Sequence, residues 1–240
     1  GAHILSGAVL EPRAMNELFP NWKEEGAPLN VPVTDDETYF LLSDTKAQKM
    51  PYWMVPKSMH NEGNYVISLG NVVRWLGQKA EELEVSIFPG FAASEVLYHE
   101  DGTVKGIQTG DMGIGKNGEP THNFTPGYEL HAKYTLFAEG CRGHLGKRLI
   151  AKYNLDKDAD PQHYGIGIKE LWQVNSPEYE EGKVVHTIGW PLQSDTYGGS
   201  FIYHDTSPIA GEGVFAGRPF AAGEKIWTMT GAVYGHSRTG

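Results

Sequence analysis

Residues 133–150, KYTLFAEGCRGHLGKRLI, constrain the fold more than any other stretch of the chain. Residues 134–138 are a short apolar run, long enough for a buried strand. Glu139, Gly140, Cys141, Arg142 and Gly143 make a tight turn, and from His144 the pattern opens a helix with Leu145, Leu149 and Ile150 on one side. Strand, glycine turn and helix point to an α/β packing. Such turns present backbone N–H groups to a phosphate or a ribityl chain. Ordinary αβ crossovers need the same glycine for steric reasons, so the turn alone does not decide between the two.

The rest of the sequence narrows the class. A length of 240 residues allows one large domain or two small ones. Charged residues at 21% and hydrophobic residues at 40% are the balance of a globular chain. A net charge of −10 argues against nucleic acid, which needs a basic face. One cysteine excludes a disulfide framework, a CxxC zinc site or an iron–sulfur cluster ligated within this stretch. The ten histidines show no HxH or HxxxH spacing, so no metal site and no catalytic acid–base dyad is assigned. No run of about 18 apolar residues is present to cross a bilayer. The opening GAHILSGAVLEP reads as the middle of a longer chain.

The pattern predicts a short helix over 12–19 with Met15, Leu18 and Phe19 inward. Residues 21–49 read as irregular and polar, with a strand near 39–42. Residues 50–59, MPYWMVPKSM, are apolar and interrupted by Pro51 and Pro56, which forbid a regular helix or central strand. Exposed, they suit a lipid or quinone surface; buried, they are a loop over a core. A strand at 64–68 leads into a helix capped by Asn71, with Val72, Leu76, Ala80 and Leu83 as its stripe. Another strand is predicted at 85–88, which gives a βαβ rhythm. Glu100-Asp101-Gly102 marks a hairpin, and the Gly-rich 111–125 a hairpin tip rather than a phosphate loop. Beyond Pro161, three strand-like runs without intervening helices predict an antiparallel sheet. Gly198-Gly199 leave backbone that a flat ligand can approach, or else form a bulge or turn. Gly211, Gly213 and Ala216 match a dinucleotide fingerprint formally, but Pro219 stands where a helix should open.

Several runs together carry a resemblance: NELFPNWKEEGAPLN, GNYVISLGNVVRWL, FPGFAASEVLYHEDGTVKGI, LFAEGCRGHLGKRL, YGIGIKELWQV and HTIGWPLQSDTYGGSFIYH. Over residues 1 to 204 the chain resembles the electron transfer flavoprotein–ubiquinone oxidoreductases. The resemblance implies an α/β (α+β overall) fold. A discontinuous glutathione-reductase-like FAD domain is interleaved with an antiparallel-sheet quinone-binding domain. Residues 1–150 would belong to the FAD domain without its GxGxxG unit, with 39–62 on a membrane or quinone surface. Residues 151–204 would belong to the quinone domain, and 205–240 form an atypical tail.

The resemblance also implies an activity. Electrons from reduced electron transfer flavoprotein would pass through FAD and a [4Fe–4S] cluster to ubiquinone in the respiratory chain, downstream of fatty acid oxidation. The cluster ligands are expected outside this chain. Glu139 and Gly140, with His3, Ser6 and Gly7, would meet FAD, and Gly198 and Gly199 would meet the ubiquinone carbonyl, with Tyr197, Phe201 and Tyr203 nearby. The protein would be monotopic on the mitochondrial inner membrane (matrix side) or a bacterial inner membrane (cytoplasmic side). Residues 4–19 and 50–59 match the membrane-contacting surfaces. Cys141 reads as a packed neighbour and His144 as helix surface. The alternatives are another FAD-dependent reductase or monooxygenase, such as a geranylgeranyl reductase, or an inactive truncated product that holds FAD weakly.

Overall fold

A computed structural model describes residues 7–165, 167–174, 177, 179–207 and 211–216. The elements run in the order β1 (Gly7–Leu10), α1 (Arg13–Leu18), β2 (Val31–Pro32), β3 (Asp35–Leu41), β4 (Ala47–Lys49), β5 (Tyr65–Ser68) and α2 (Leu69–Glu82). Next come β6 (Ala93–Tyr98), β7 (Val104–Thr109), β8 (Met112–Ile114), β9 (Pro120–Thr125), β10 (Glu129–His131) and α3 (His144–Tyr153). The last are β11 (Glu170–Gln173), β12 (Lys183–Gly189), β13 (Gly199–Ser207) and β14 (Gly211–Ala216). The chain divides into two units: Gly1–Val85 with Ile166–Gly240, and Ser86–Gly165.

In the first unit, alternation along β5 explains the layering. Adjacent strand residues point to opposite faces. Ile67 faces Met15, Trp22, Leu29, Val72 and Trp75, the cluster formed with α1 and α2. Val66 faces the other way, onto Val31 and Val184. The small sheet, in the order β1-β5-β2 and antiparallel throughout, thus lies between the helices and a six-stranded sheet ordered β11-β14-β13-β12-β3-β4. Val184 on β12 is 0% exposed and anchors that second contact. Burying each such aliphatic side chain contributes about 1.5–3 kcal/mol.

The large sheet is antiparallel as expected except at one interior pairing. There β12 pairs parallel with β3, from Lys183 beside Asp35 to Gly189 beside Leu41. A segment read as mostly irregular from sequence is therefore a full strand. Its polar residues 35–38 hid it: Glu37 and Thr38 are buried because they find partners, not because they are apolar. The formal dinucleotide fingerprint falls on β14, a strand paired with both β11 and β13.

Helix α2 starts at Leu69, earlier than predicted, and Asn71 does not cap it. Asn71 Oδ1 accepts a hydrogen bond from Arg74 instead. Trp75 joins Val72 in the core, where it meets Phe19 edge-on at 5.2 Å, while Leu83 is exposed beyond the last turn. α1 is only six residues long, so Met15 and the following Phe19 reach the core but Leu18 points away.

In the second unit, β6 and β7 form the hairpin expected around Asp101-Gly102, and β10 adds to β7. The hairpin β8–β9 occupies the Gly-rich excursion. α3 contributes Leu145 and Leu149 to the unit's core, Tyr153 donates to the Gly102 carbonyl at 2.7 Å, and Ile150 stays partly exposed. Two predicted strands are absent. Residues 85–88 and 134–138 form no strand and join no sheet among the described residues. Tyr134 and Leu136 are 87% and 88% exposed. Apolar composition suits a strand, but a strand needs a neighbour with open N–H and C=O groups.

Candidate functional site

Three places in the structure hold the residues singled out from sequence. The first is the glycine turn before α3. Gly140 takes a left-handed φ of +77°, and the space a Cβ would fill there is open. Glu139 folds its side chain back over the helix start. Its carboxylate accepts from the Gly146 N–H at 2.7 Å and the Leu145 N–H at 3.4 Å, and lies 3.3 Å from His144 Nδ1. An internal carboxylate therefore already answers the positive end of α3. Gly143 is needed for this arrangement, because a Cβ would come within 2.4 Å of the Glu139 side chain. His144 Nε2 bonds the Ala93 carbonyl at 2.9 Å. Cys141 is exposed rather than packed. Gly7 begins β1 opposite Ser68, whereas His3 and Ser6 lie outside the described residues.

The second place is the start of β13. Gly199 stands opposite Ile188, and a Cβ on it would sit 2.1 Å from the Thr187 carbonyl oxygen. The close approach of β12 therefore demands glycine here, whatever else binds. Gly198 differs: a Cβ there would meet only the end of Leu192, at 2.9 Å, but its φ of +159° itself favours glycine. Of the three aromatic residues expected beside this pair, Phe201 and Tyr203 stack at 4.8 Å, while Tyr197 is fully exposed in the preceding loop.

Along β13 and β12 the same sheet face carries Gly199, Phe201 and Tyr203 against Ile188, His186 and Val184. Lys169 reaches this face as well. Its Nζ lies 5.1 Å over the Phe201 ring and donates to the Gly7 carbonyl, and burial pushes its pKa down. His186 was not singled out from sequence. Period-two alternation would have placed it beside Phe201 only if the hairpin register across the long 190–198 loop were known.

The opposite face holds a different polar group. Burial alone would raise the Glu37 carboxyl. Hydrogen bonds from Lys49 and Tyr39, with the charge of Lys183, reverse that and hold it below the usual range. Lys49 is correspondingly raised by its bond to Glu37.

The third place is residues 50–59. Two single 3-10 turns, Tyr52–Met54 and Lys57–Met59, follow the two prolines. Val55 tucks in, but Trp53 is 81% exposed, with Tyr52 and Met54 also open. Tyr52 stacks on His60 at 4.0 Å. A cavity of about 340 Å³ lies beside it, lined by Asp36, Thr38, Lys49, Tyr52, Val55 and Glu62 among others. Among the described residues, no cluster of His, Cys, Asp and Glu could hold a metal ion, and no helix is long and apolar enough to cross a membrane.

The β11–β14 region has a known counterpart. Residues 164–213 match the ubiquinone-binding domain family of electron transfer flavoprotein–ubiquinone oxidoreductase. The chain is 80% identical over 205 residues to the probable electron transfer flavoprotein-ubiquinone oxidoreductase of Acinetobacter baylyi, which covers 85% of this chain and 36% of that relative. It is 64% identical to the Pseudomonas aeruginosa oxidoreductase, over 85% of the chain and 37% of the relative. It is 53% identical to the mitochondrial one of Bos taurus, over 90% and 35%. Over 85% to 90% of its length the chain is similar to electron transfer flavoprotein–ubiquinone oxidoreductases. It spans 35% to 37% of the length of these relatives. The match to 213 takes in the whole of β13 and the first part of β14, so the ubiquinone-binding family extends into the region read from sequence as a tail.

Proposed function

We propose that this chain is part of an oxidoreductase that passes electrons from reduced electron transfer flavoprotein, through FAD and a [4Fe–4S] cluster, to ubiquinone. The observation that carries this is the match of 164–213, which contains the Gly198-Gly199 turn and the aromatic sheet face beyond it. A quinone needs a largely apolar slot with few polar contacts. Gly198 and Ile188 with Phe201 supply that chemistry.

FAD, when bound, supplies the electron-carrying ring, and the cluster a one-electron relay whose ligands lie outside this chain. The turn at Glu139-Gly140 fits part of the flavin better than another. The Glu139 carboxylate, already accepting two N–H groups, would repel a pyrophosphate at the α3 terminus, but it can still accept from ribityl hydroxyls. Gly140 leaves its backbone open to the same chain. Gly7 at the start of β1, with His3 and Ser6 just before it in the sequence, would flank the flavin. The exposed runs 85–88 and 134–138 fit strands completed by other parts of the longer protein.

Residues 50–59 would rest on the membrane of a bacterium or the inner mitochondrial membrane, through Trp53, Tyr52 and Met54 with Lys57 at the rim. The quinone assignment is tested at Gly198, not Gly199. Gly199→Ala clashes with the Thr187 carbonyl and destabilises the strand by about 1–3 kcal/mol, so loss of activity there is uninformative. Gly198→Ala meets only the end of Leu192 but also strains a backbone φ of +159°, so binding and melting temperature are read together. In the full-length protein it should weaken ubiquinone-1 binding about tenfold, equivalent to about 1.4 kcal/mol, while lowering the melting temperature less than Gly199→Ala does. Unchanged ubiquinone-1 affinity would remove Gly198 from the site.

A further inference from the structure

His186 lies on the sheet face that carries Gly199 and has no role in the electron path. Its Nδ1 is buried without a hydrogen-bond partner. A buried polar atom left unpaired in a folded protein calls for a cause. Its Nε2 makes a long hydrogen bond, 3.4 Å, to the Tyr203 hydroxyl, with the two rings edge-on at 5.8 Å. His186 stands directly opposite Phe201, so Gly199 is its diagonal neighbour on the same sheet face. Such diagonal neighbours lie about 7–8 Å apart, close enough for a long or aromatic side chain on one to reach a group held at the other.

The surroundings leave the pair isolated. The small sheet packed on this face presents Val9, Val31 and Val66, none of which titrates. Lys169 is beyond Phe201 and tied to Gly7. From β3, Thr38 is level with His186 and Asp36 with Val184. Asp36 is the charged group whose field reaches both members of the pair. Burial holds the His186 imidazole below its usual pKa, opposed by Asp36, and burial together with Asp36 raises Tyr203. Both are therefore neutral and hold their protons near pH 7. Asp36 and Thr38 also line the 340 Å³ cavity, which is roomy and polar enough for water.

We propose that His186 and Tyr203 are a proton-delivery pair for the quinone held at Gly198-Gly199. The inference rests on the quinone reading and deepens it. Reduction of a quinone to a quinol takes two electrons and two protons. The electrons come from a reduced flavin-class donor. As the quinone oxygen becomes basic, an O–H bond forms to it and the His186 Nδ1–H bond breaks. Nε2 takes the Tyr203 hydroxyl proton, and Tyr203 regains one from water. One solvent proton thus enters the quinol by this route, and the second enters at the other oxygen from solvent. His186 is the group that touches substrate; Tyr203 acts through it, and Asp36 favours the cationic imidazole in passing.

The test uses full-length protein, ubiquinone-1 as probe, and the variants His186→Gln and Tyr203→Phe. Ubiquinone-1 binding is followed by tryptophan fluorescence, and quinol formation across pH in H₂O and D₂O. Tyr203→Phe should bind ubiquinone-1 as the parent does, and His186→Gln, at the group that touches substrate, is compared with the parent at saturating ubiquinone-1. His186→Gln should form quinol about 100-fold more slowly at pH 7, in the range typical of a lost general acid. Tyr203→Phe should slow it less, with the rate recovering as pH falls and a smaller solvent isotope effect. Normal binding with unchanged rate, pH profile and isotope effect in Tyr203→Phe overturns the relay even if His186→Gln does not fold. Failure of the parent protein to bind ubiquinone-1 overturns the quinone reading and the relay with it.

Discussion

The two units bury their apolar residues very differently. In the first, β5 serves two cores at once: Ile67 toward the helices and Val66 toward the large sheet, each 1% exposed. In the second, Leu145 and Leu149 are the buried aliphatic residues, while Phe88, Phe91, Tyr134 and Leu136 stand open. Local pattern does not explain the difference, since both units contain apolar runs of strand length. It follows from pairing. In the first unit β3 finds β12 across more than a hundred residues of sequence, and β1 finds β5 across more than fifty. The runs 85–88 and 134–138 find none among the described residues. A site built on the first unit is therefore held rigidly, whereas a flavin contact on the second needs neighbours to fix it.

Paired substitutions break or sharpen this contrast. Ile67→Ala should cost about 2–5 kcal/mol by chemical denaturation of the chain, the range for a buried aliphatic truncation. Leu136→Ala should shift the same transition by less than about 0.5 kcal/mol, as an exposed residue does. Equal effects would mean that 134–138 is packed after all.

A smaller effect is expected from the polar face of the large sheet. Glu37 is held below the ordinary carboxylate pKa of about 4.3 in the folded state, so its contribution is present above that value and is lost as pH falls through the lowered one. Lys49 is half exposed, so solvent screens the pair. Glu37→Gln should cost about 1–2 kcal/mol at pH 7 and progressively less as pH falls through the lowered Glu37 pKa, with urea midpoints as the measure. A pH-independent cost would make Glu37 a packing residue only.

The smallest effect belongs to the second unit. Glu139→Gln removes the charge at the α3 terminus but keeps an acceptor, and should weaken the helix by about 0.5 kcal/mol. Amide exchange at Gly146 and Leu145 reports it. No change in exchange at either amide would show that the carboxylate does not cap α3.

Much of the second unit was legible in the sequence. The Asp101-Gly102 hairpin, the 111–125 hairpin and the start of α3 all follow from turn chemistry that acts within a few residues. The strands β11 to β13 were also legible, because their β-branched and aromatic residues crowd a pleated surface. Their partners were not. Nothing local announces that Asp35–Leu41 is an interior strand, since Glu37 and Thr38 become buried only when Lys49, Tyr39 and neighbouring strands satisfy them.

The site divides in the same way. The glycine pair and the aromatic residues were visible as types, and the family resemblance was visible in long collinear runs. What the tertiary structure decided is why each glycine is there. Gly199 is committed to the approach of Thr187, on a strand twelve residues earlier in the chain, and Gly198 to a backbone φ of +159°. It also decided that His186 shares a face with that pair and that Glu139 turns inward on its own helix. Sequence fixes which side chains are present and their local period. Register and layer order, set by contacts between distant segments, fix which of them meet.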